Sequence, residues 1–321
     1  MTNAIEINGL TRIFGKRTAV EDLTLTIPVG TVCGFLGPNG AGKTTTVRML
    51  TALIAPSSGS ALVAGYTLGK ADEQIRRVTG ILTETPGLYE RLTAVENLVF
   101  FARLYGLSAQ RANQQAEHYL RMLDLWERRD ERVSSFSKGM RQKVAIARAL
   151  LHEPQIVFLD EPTAGLDPEA ARVVLDFIKV LRNEGRTIFL TTHNLPEADE
   201  VCDLIGMFRT RLLRVDTPHN LRVSLFGNGT QVRVVGAAAA WVQVVQTLGF
   251  VHDVSAYDST LSIALDDPDA QNPLLVRQLV EAGAQIRAVE PMAHSLEEVY
   301  RELLGTEQNN QPQPLTTVSQ R

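Results

Sequence analysis

The chain has 321 residues, 44% hydrophobic and 21% charged, a globular composition with length for one large domain or two smaller ones. A net charge of −4 argues against a nucleic-acid surface, so no nucleic-acid partner is expected. Cys33 and Cys202, far apart in apolar contexts, read as buried thiols in a reducing compartment, not as a disulfide or metal site.

The N-terminal MTNAIEINGL lacks a basic region followed by an apolar core, so no signal peptide is expected. Ile5-Glu6-Ile7 and Leu23-Thr24-Leu25-Thr26-Ile27 alternate, which predicts strands of a sheet with one polar face. Thr31 to Leu36 is short, apolar and partly β-branched, the pattern of a buried strand. It runs into GPNGAGKTTTVRML, where Gly37, Gly42, Lys43 and Thr44 fit G-x-x-x-x-G-K-[ST], the P-loop. Gly37, Pro38, Asn39, Gly40, Ala41 and Gly42 curl the backbone so that its amides face an anion. Lys43 carries a charge to the β- and γ-phosphates, Thr44 offers a hydroxyl to Mg²⁺, and Thr45 follows in the same turn. The implied ligand is a nucleoside triphosphate with Mg²⁺.

Pro56 to Ser60 reads as a turn and Ala61 to Ala64 as a short strand. From about Thr93 to Glu127 the pattern is helical, with Leu98, Phe101, Ala102 and Tyr105 on one face. A further helix starts near Ser137. Ile156 to Leu159 is a buried strand ending in Asp160 and Glu161; Pro168 to Asn183 is a helix, and Thr187 to Leu190 another buried strand. Apolar strands alternating with helices predict a parallel sheet covered on both faces. Ligands collect at the strand ends of such sheets. Asp160 is placed there to hold the hydrated metal, and Glu161 to activate or position a water.

Composition shifts after about Pro218. Residues 219–304 read as a small separate α+β domain, with strands at Gln231 to Val235 and Leu261 to Leu265. Helical stretches lie around Trp241 to Leu248 and Asn272 to Glu281. Residues 305–321 are polar and rich in Gln and Pro, the composition of a disordered tail. No run reaches the ~18 unbroken apolar residues of a membrane span. Gly236 to Phe250 comes nearest, broken by Gln243 and Gln246.

At SSFSKGMRQKVAIARAL, Ser134 to Leu150, the chain resembles the signature segment of ATP-binding cassette (ABC) ATPases. Phe136, Ser137, Lys138, Gly139 and Met140 stand in the five places usually filled by Leu-Ser-Gly-Gly-Gln. Ser137 and Gly139 keep a hydroxyl and an unobstructed amide at a helix N-terminus, where phosphate is attracted. Ser-Lys-Gly-Met is similar to the subgroup that pairs with ABC-2-type membrane proteins. The resemblance, over about residues 4–218, assigns Phe14 to stacking on adenine, Ala164 to Asp167 to the D-loop, and His193 to the γ-phosphate. The family's Q-loop glutamine is replaced by Glu84, which can still bind Mg²⁺ or a water.

The fold implied is an α/β P-loop NTPase core over residues 1–218, with an antiparallel β subdomain and a helical subdomain at about 88–150, followed by the small α+β domain. The implied activity is ATP hydrolysis, with Glu161 and His193 catalytic. Two copies would act head to tail, each ATP between the P-loop of one and Ser137 and Gly139 of the other. The implied partner is a multi-span membrane protein of ABC-2 type, with this chain peripheral on the cytoplasmic face and powering export. Two rivals are a soluble ABC ATPase acting on ribosomes or DNA, and an ATP-gated scaffold without turnover.

Overall fold

The structure, a computed structural model, describes residues 2–310 apart from Glu84 and Ala293. The chain opens with a long hairpin, Asn3–Phe14 (β1) and Arg17–Pro28 (β2), followed by Val32–Leu36 (β3) and Lys43–Leu50 (α1). Ser58–Val63 (β4), Tyr66–Thr67 (β5), Asp72–Val78 (α2) and Thr79–Leu82 (β6) come next. The helical region holds Ala94–Leu104 (α3), Ala109–Met122 (α4) and Lys138–Leu150 (α5). Ile156–Asp160 (β7), Pro168–Asn183 (α6), Thr187–Thr192 (β8), Leu195–Val201 (α7), Leu204–Arg209 (β9) and Arg211–Asp216 (β10) complete this part.

Two sheets result. The antiparallel one has the order β2-β1-β4-β5, and the larger one runs β10-β9-β3-β8-β7-β6. Strands β6, β7, β8, β3 and β9 are mutually parallel, and only β10 runs against its neighbour. Every residue of β3, β7 and β8 is buried, the continuous apolar run expected of parallel strands covered on both faces. Phe35, Phe158, Phe189 and Phe208 form an aromatic seam across β3, β7, β8 and β9, with ring centroids 4.3 to 5.6 Å apart. The order places the C-terminal ends of β3, β8 and β7 side by side, so three separate loops meet at one edge.

The helical pattern read from Thr93 to Glu127 is two helices. Gly106 turns the chain at φ 86°, and the Ser108 hydroxyl then caps α4 by accepting from Arg111 N at 3.2 Å. α3 begins with a capping box in which Thr93 and Glu96 each accept the other's backbone N–H. Helix α2 and strand β6 escape sequence reading, because seven- and four-residue elements carry too little periodicity. Cys33 and Cys202 are buried and free, and burial pushes the Cys33 thiol up to about 12.

The residues divide into two compact units at Pro218 and His219. The second holds Pro218–Phe226 (α8), Asn228–Val234 (β11), Val242–Gln246 (α9), Val251–Tyr257 (β12), Thr260–Leu265 (β13), Pro268–Glu281 (α10), Ile286–Pro291 (β14) and Leu296–Asn310 (α11). Its antiparallel sheet has the order β12-β13-β11-β14. Val232, Val234, Leu261 and Ile263 pack from that sheet against Leu275 and Leu279 of α10 and Val245 of α9. Helix α11 continues to Asn310, into the segment read as a polar tail. Ser295 and Glu298 start it with reciprocal backbone bonds of 3.1 and 3.2 Å, so the Glu- and Gln-containing turns propagate from a formed nucleus. The rest of that tail lies outside the described residues. Among the described residues no helix is long and apolar enough to cross a membrane.

Candidate functional site

The loop between β3 and α1 is pressed against other backbone, which is why it is glycine-rich. A Cβ on Gly37 would lie 2.0 Å from the Phe208 carbonyl oxygen. One on Gly42, whose φ is 108°, would lie 2.1 Å from the Ala19 carbonyl oxygen. Lys43, 5% exposed, begins α1 and folds its side chain back over the loop. Its ammonium donates to Gly37 O at 2.6 Å and to Pro38 O at 3.3 Å, and lies 3.1 Å from Glu161 Oε1. The residues from Pro38 to Thr45 line a cavity of about 560 Å³, shared with Phe14, Arg17, Ala19 and Glu161. That volume suits a nucleotide-sized ligand.

Phe14 and Arg17 pair across the tip of the β1–β2 hairpin. The Phe14 ring is 46% exposed, and the Arg12 guanidinium stacks on it at 4.4 Å from the centroid. Arg17 donates to Gly40 O at 3.2 Å, which ties the hairpin tip to the P-loop. Arg17 carries no motif that would have marked it. Its proximity follows from the strand register.

Asp160 ends β7 at 2% exposure, and its Oδ1 accepts from the Thr191 hydroxyl of β8 at 2.5 Å. The next residue, Glu161, adopts a left-handed backbone, φ 51°, which is costly for a side chain with a Cβ. Two bonds hold it: its N–H donates to Thr191 O at 3.1 Å and to Thr191 Oγ1 at 3.2 Å. Its carboxylate then bridges the site, with Oε2 2.8 Å from His193 Nδ1 and Oε1 beside Lys43. Oε1 is buried within ion-pair distance of Lys43 but accepts no hydrogen bond. Behind this group, the Thr163 hydroxyl donates to Glu197 of α7 at 2.5 Å. Thr191 and Thr163 were not singled out by sequence, because their partners lie about thirty residues away in the chain.

The signature residues stand apart from this cavity. Ser137 is exposed and caps α5, accepting from Met140 N at 3.2 Å. Gly139 is buried against α6, where a Cβ would lie 2.8 Å from the Ala170 Cβ. Asp167 is exposed and caps α6, accepting from Ala170 N at 2.8 Å. None of the three lines the P-loop cavity of its own chain. Two of the three unusual members of the signature, Phe136 and Met140, share a clamp. Arg128, forked onto Glu131, lies over the Phe136 ring at 5.5 Å and donates to the Met140 sulfur at 3.1 Å. Glu84 lies outside the described residues.

This geometry has known counterparts. The family model "ABC transporter" matches residues 20–164, and the model "ATP-binding protein DrrA1-3-like, C-terminal domain" matches residues 217–304. The linearmycin resistance ATP-binding protein LnrL of Bacillus subtilis (strain 168) is 32% identical, over 94% of this chain and 98% of its own. The daunorubicin/doxorubicin resistance ATP-binding protein DrrA of Streptomyces peucetius is 35% identical, over 95% of this chain and 93% of its own. A solved structure described as the ATP-binding subunit of an ABC transporter superposes with a TM-score of 0.64 at 34% identity, over 70% of this chain and 94% of that one. With a glycine cradle, a buried lysine and a carboxylate at its mouth, the chain belongs to the ABC transporter family, as an ATP-binding and ATP-hydrolysing subunit with a DrrA-like C-terminal domain.

Proposed function

We propose that the chain hydrolyses ATP at a site completed by a second copy of itself, and that this cycle powers export through a multi-span membrane protein of ABC-2 type. One observation carries the reading. The cavity is built only from the P-loop side, while Ser137 sits exposed at the N-terminus of α5, outside it. A helix N-terminus with a hydroxyl suits the triphosphate of a facing chain. The drug-resistance relatives favour export, and with it a peripheral place on the cytoplasmic face beside the membrane partner.

The residues also fit Mg²⁺. Thr44 lines the cavity and Asp160 ends β7 at 2% exposure, a hydroxyl and a carboxylate of the oxygen chemistry that Mg²⁺ takes. No cluster of three His, Cys, Asp or Glu side chains suited to a metal occurs among the described residues, and phosphate oxygens and waters would complete the coordination. Thr44 and Asp160 would hold the ion, which when bound neutralises charge on the phosphate oxygens. In this reading Lys43 exchanges the loop carbonyls and Glu161 for phosphate oxygens. Glu161 takes the proton of the attacking water, and His193, 2.8 Å away, orients that carboxylate.

The test is a pair of heterodimers. With Lys43→Ala in one chain and Ser137→Arg in the other, both lesions fall on one composite site and the second stays intact. With both lesions in one chain, each site receives one. The split arrangement should therefore hydrolyse ATP faster than the doubly mutated chain paired with the parent. The reverse order, or equal rates with both heterodimers formed, refutes the composite site. Co-purification of the tagged chain from membranes with a multi-span protein tests the partner, and its recovery in the soluble fraction alone refutes it.

A further inference from the structure

In a composite site, the part that touches the partner's ATP must inform the part that cuts its own. Within this chain those parts are the N-terminus of α5, with Ser137 and Gly139, and the loop after β7, with Glu161. One buried side chain joins them. Gln142 lies one turn beyond the start of α5, is 6% exposed, and donates from Nε2 to the carbonyl oxygen of Pro162 at 2.9 Å. Pro162 directly follows Glu161. A buried carbonyl that loses its only side-chain donor is penalised strongly, so this bond resists being pulled apart.

Two further contacts make α5 and the loop one body. Gly139 packs so closely on α6 that a Cβ would lie 2.8 Å from the Ala170 Cβ. The Lys138 ammonium lies over Gly165, where a Cβ would meet it at 2.2 Å. The loop is in turn fastened to the helix after His193, because Thr163 donates to Glu197 of α7 at 2.5 Å. Movement of the α5 N-terminus therefore pulls on the residue next to Glu161, whose left-handed backbone is held by the Thr191 bonds and by Ala164 N donating to its carbonyl at 3.1 Å. A small displacement there re-aims the carboxylate.

We infer that Gln142 is the positioning residue that couples the two nucleotide sites of the dimer, transmitting engagement of Ser137 with the partner's ATP to the setting of Glu161. The inference rests on the head-to-tail reading above. Lys138 and Gly139 brace the same joint, but their contacts are steric, whereas Gln142 supplies its one directional bond.

The experiment compares the purified full-length parent with Gln142→Met, which keeps the volume and loses the donor, and with Gln142→Glu, which keeps the shape but presents no N–H. Three quantities are read: affinity for ATP on the chain diluted to monomer, kcat and KM for ATP hydrolysis, and the Hill coefficient. The coupling role predicts monomer affinity within about twofold of parent, since the P-loop is untouched. It predicts kcat lowered about tenfold, the scale of one buried hydrogen bond, and a Hill coefficient falling from above one to one. A structural role alone would lower the melting temperature and leave the Hill coefficient at the parent value. That result overturns the inference, as does unchanged kcat in both variants. Combining each variant with Glu161→Gln and measuring ATP-dependent dimerisation by sedimentation separates the two levels. If Glu161→Gln alone dimerises on ATP but the variants behave as parent in turnover, only the Gln142 inference falls. If Glu161→Gln does not dimerise, the head-to-tail reading falls and takes the inference with it.

Discussion

Replacing Glu161 by Gln does two separable things. It removes the group read as accepting the proton from water, and it removes the negative charge 3.1 Å from the Lys43 ammonium. Two unit charges at that separation attract by about 5 kcal/mol at an effective dielectric of about 20. Both side chains are nearly enclosed, 6% and 15% exposed, so the desolvation they suffer offsets most of that, leaving a net worth of about 1–2 kcal/mol. ATP must disrupt this pair to reach Lys43. A neutral glutamine no longer competes, so Glu161→Gln should bind ATP about 5- to 30-fold more tightly. Turnover should fall by about 100-fold or more. The same pair is lost from the ligand-free protein, which should be less stable by about 1–2 kcal/mol even though Lys43 keeps the Gly37 and Pro38 carbonyls. Calorimetric titration with ATP reads the affinity, and phosphate release reads the turnover. Binding no tighter than the parent's refutes the competition between Glu161 and phosphate. Turnover within tenfold of the parent's removes Glu161 from the reaction and leaves His193 as the group to test.

Gly42→Ala should cost about 3 kcal/mol or more, since it combines a φ of 108° with a Cβ 2.1 Å from the Ala19 carbonyl; denaturant unfolding checks this, and ATP binding should fail in the same sample. His152 stacks on Tyr105 at 3.8 Å between centroids, and its Nε2 lies 3.0 Å from Thr79 O. Burial holds its folded-state titration below the usual 6.5, so the unfolded chain binds the proton first and stability is lost as pH falls below 6.5. His152→Gln, which keeps a donor for Thr79, should shrink the drop in melting temperature between pH 7.5 and 5.5; an undiminished drop refutes the assignment.

Local motifs were legible because their chemistry is contiguous. The P-loop, the Asp160–Glu161 strand end and the helix start at Ser137 are each stated by a few adjacent residues. The parallel sheet followed from three apolar runs, and β3, β7 and β8 are buried throughout. The sequence reading did not reach groups whose roles are set by register. Arg17 reaches Gly40 only because β1 and β2 pair to put it beside Phe14. Thr191 is one threonine among several until β8 lies against β7. Gln142 resembles any polar residue in a basic helix; its meaning comes from the burial of that helix face against the loop after β7. Strands β12 and β14 of the second unit were missed for a related reason. Both are edge strands with mostly polar or half-exposed residues, so alternation is weak.

The left-handed backbone of Glu161 sets stability against activity at one position. Conformations of this kind cost about 1–3 kcal/mol for a residue with a Cβ, and glycine or asparagine enters them with less penalty. Substitution by either relieves the torsional load at the mouth of the cavity, yet neither supplies a carboxylate. A search for heat-resistant variants that ignores turnover would therefore favour loss of the glutamate. The protein it yields would be more durable, would close on ATP and would rarely reopen. In the proposed cycle, a glutamate at a φ of 51° is thus the torsional strain that turnover requires.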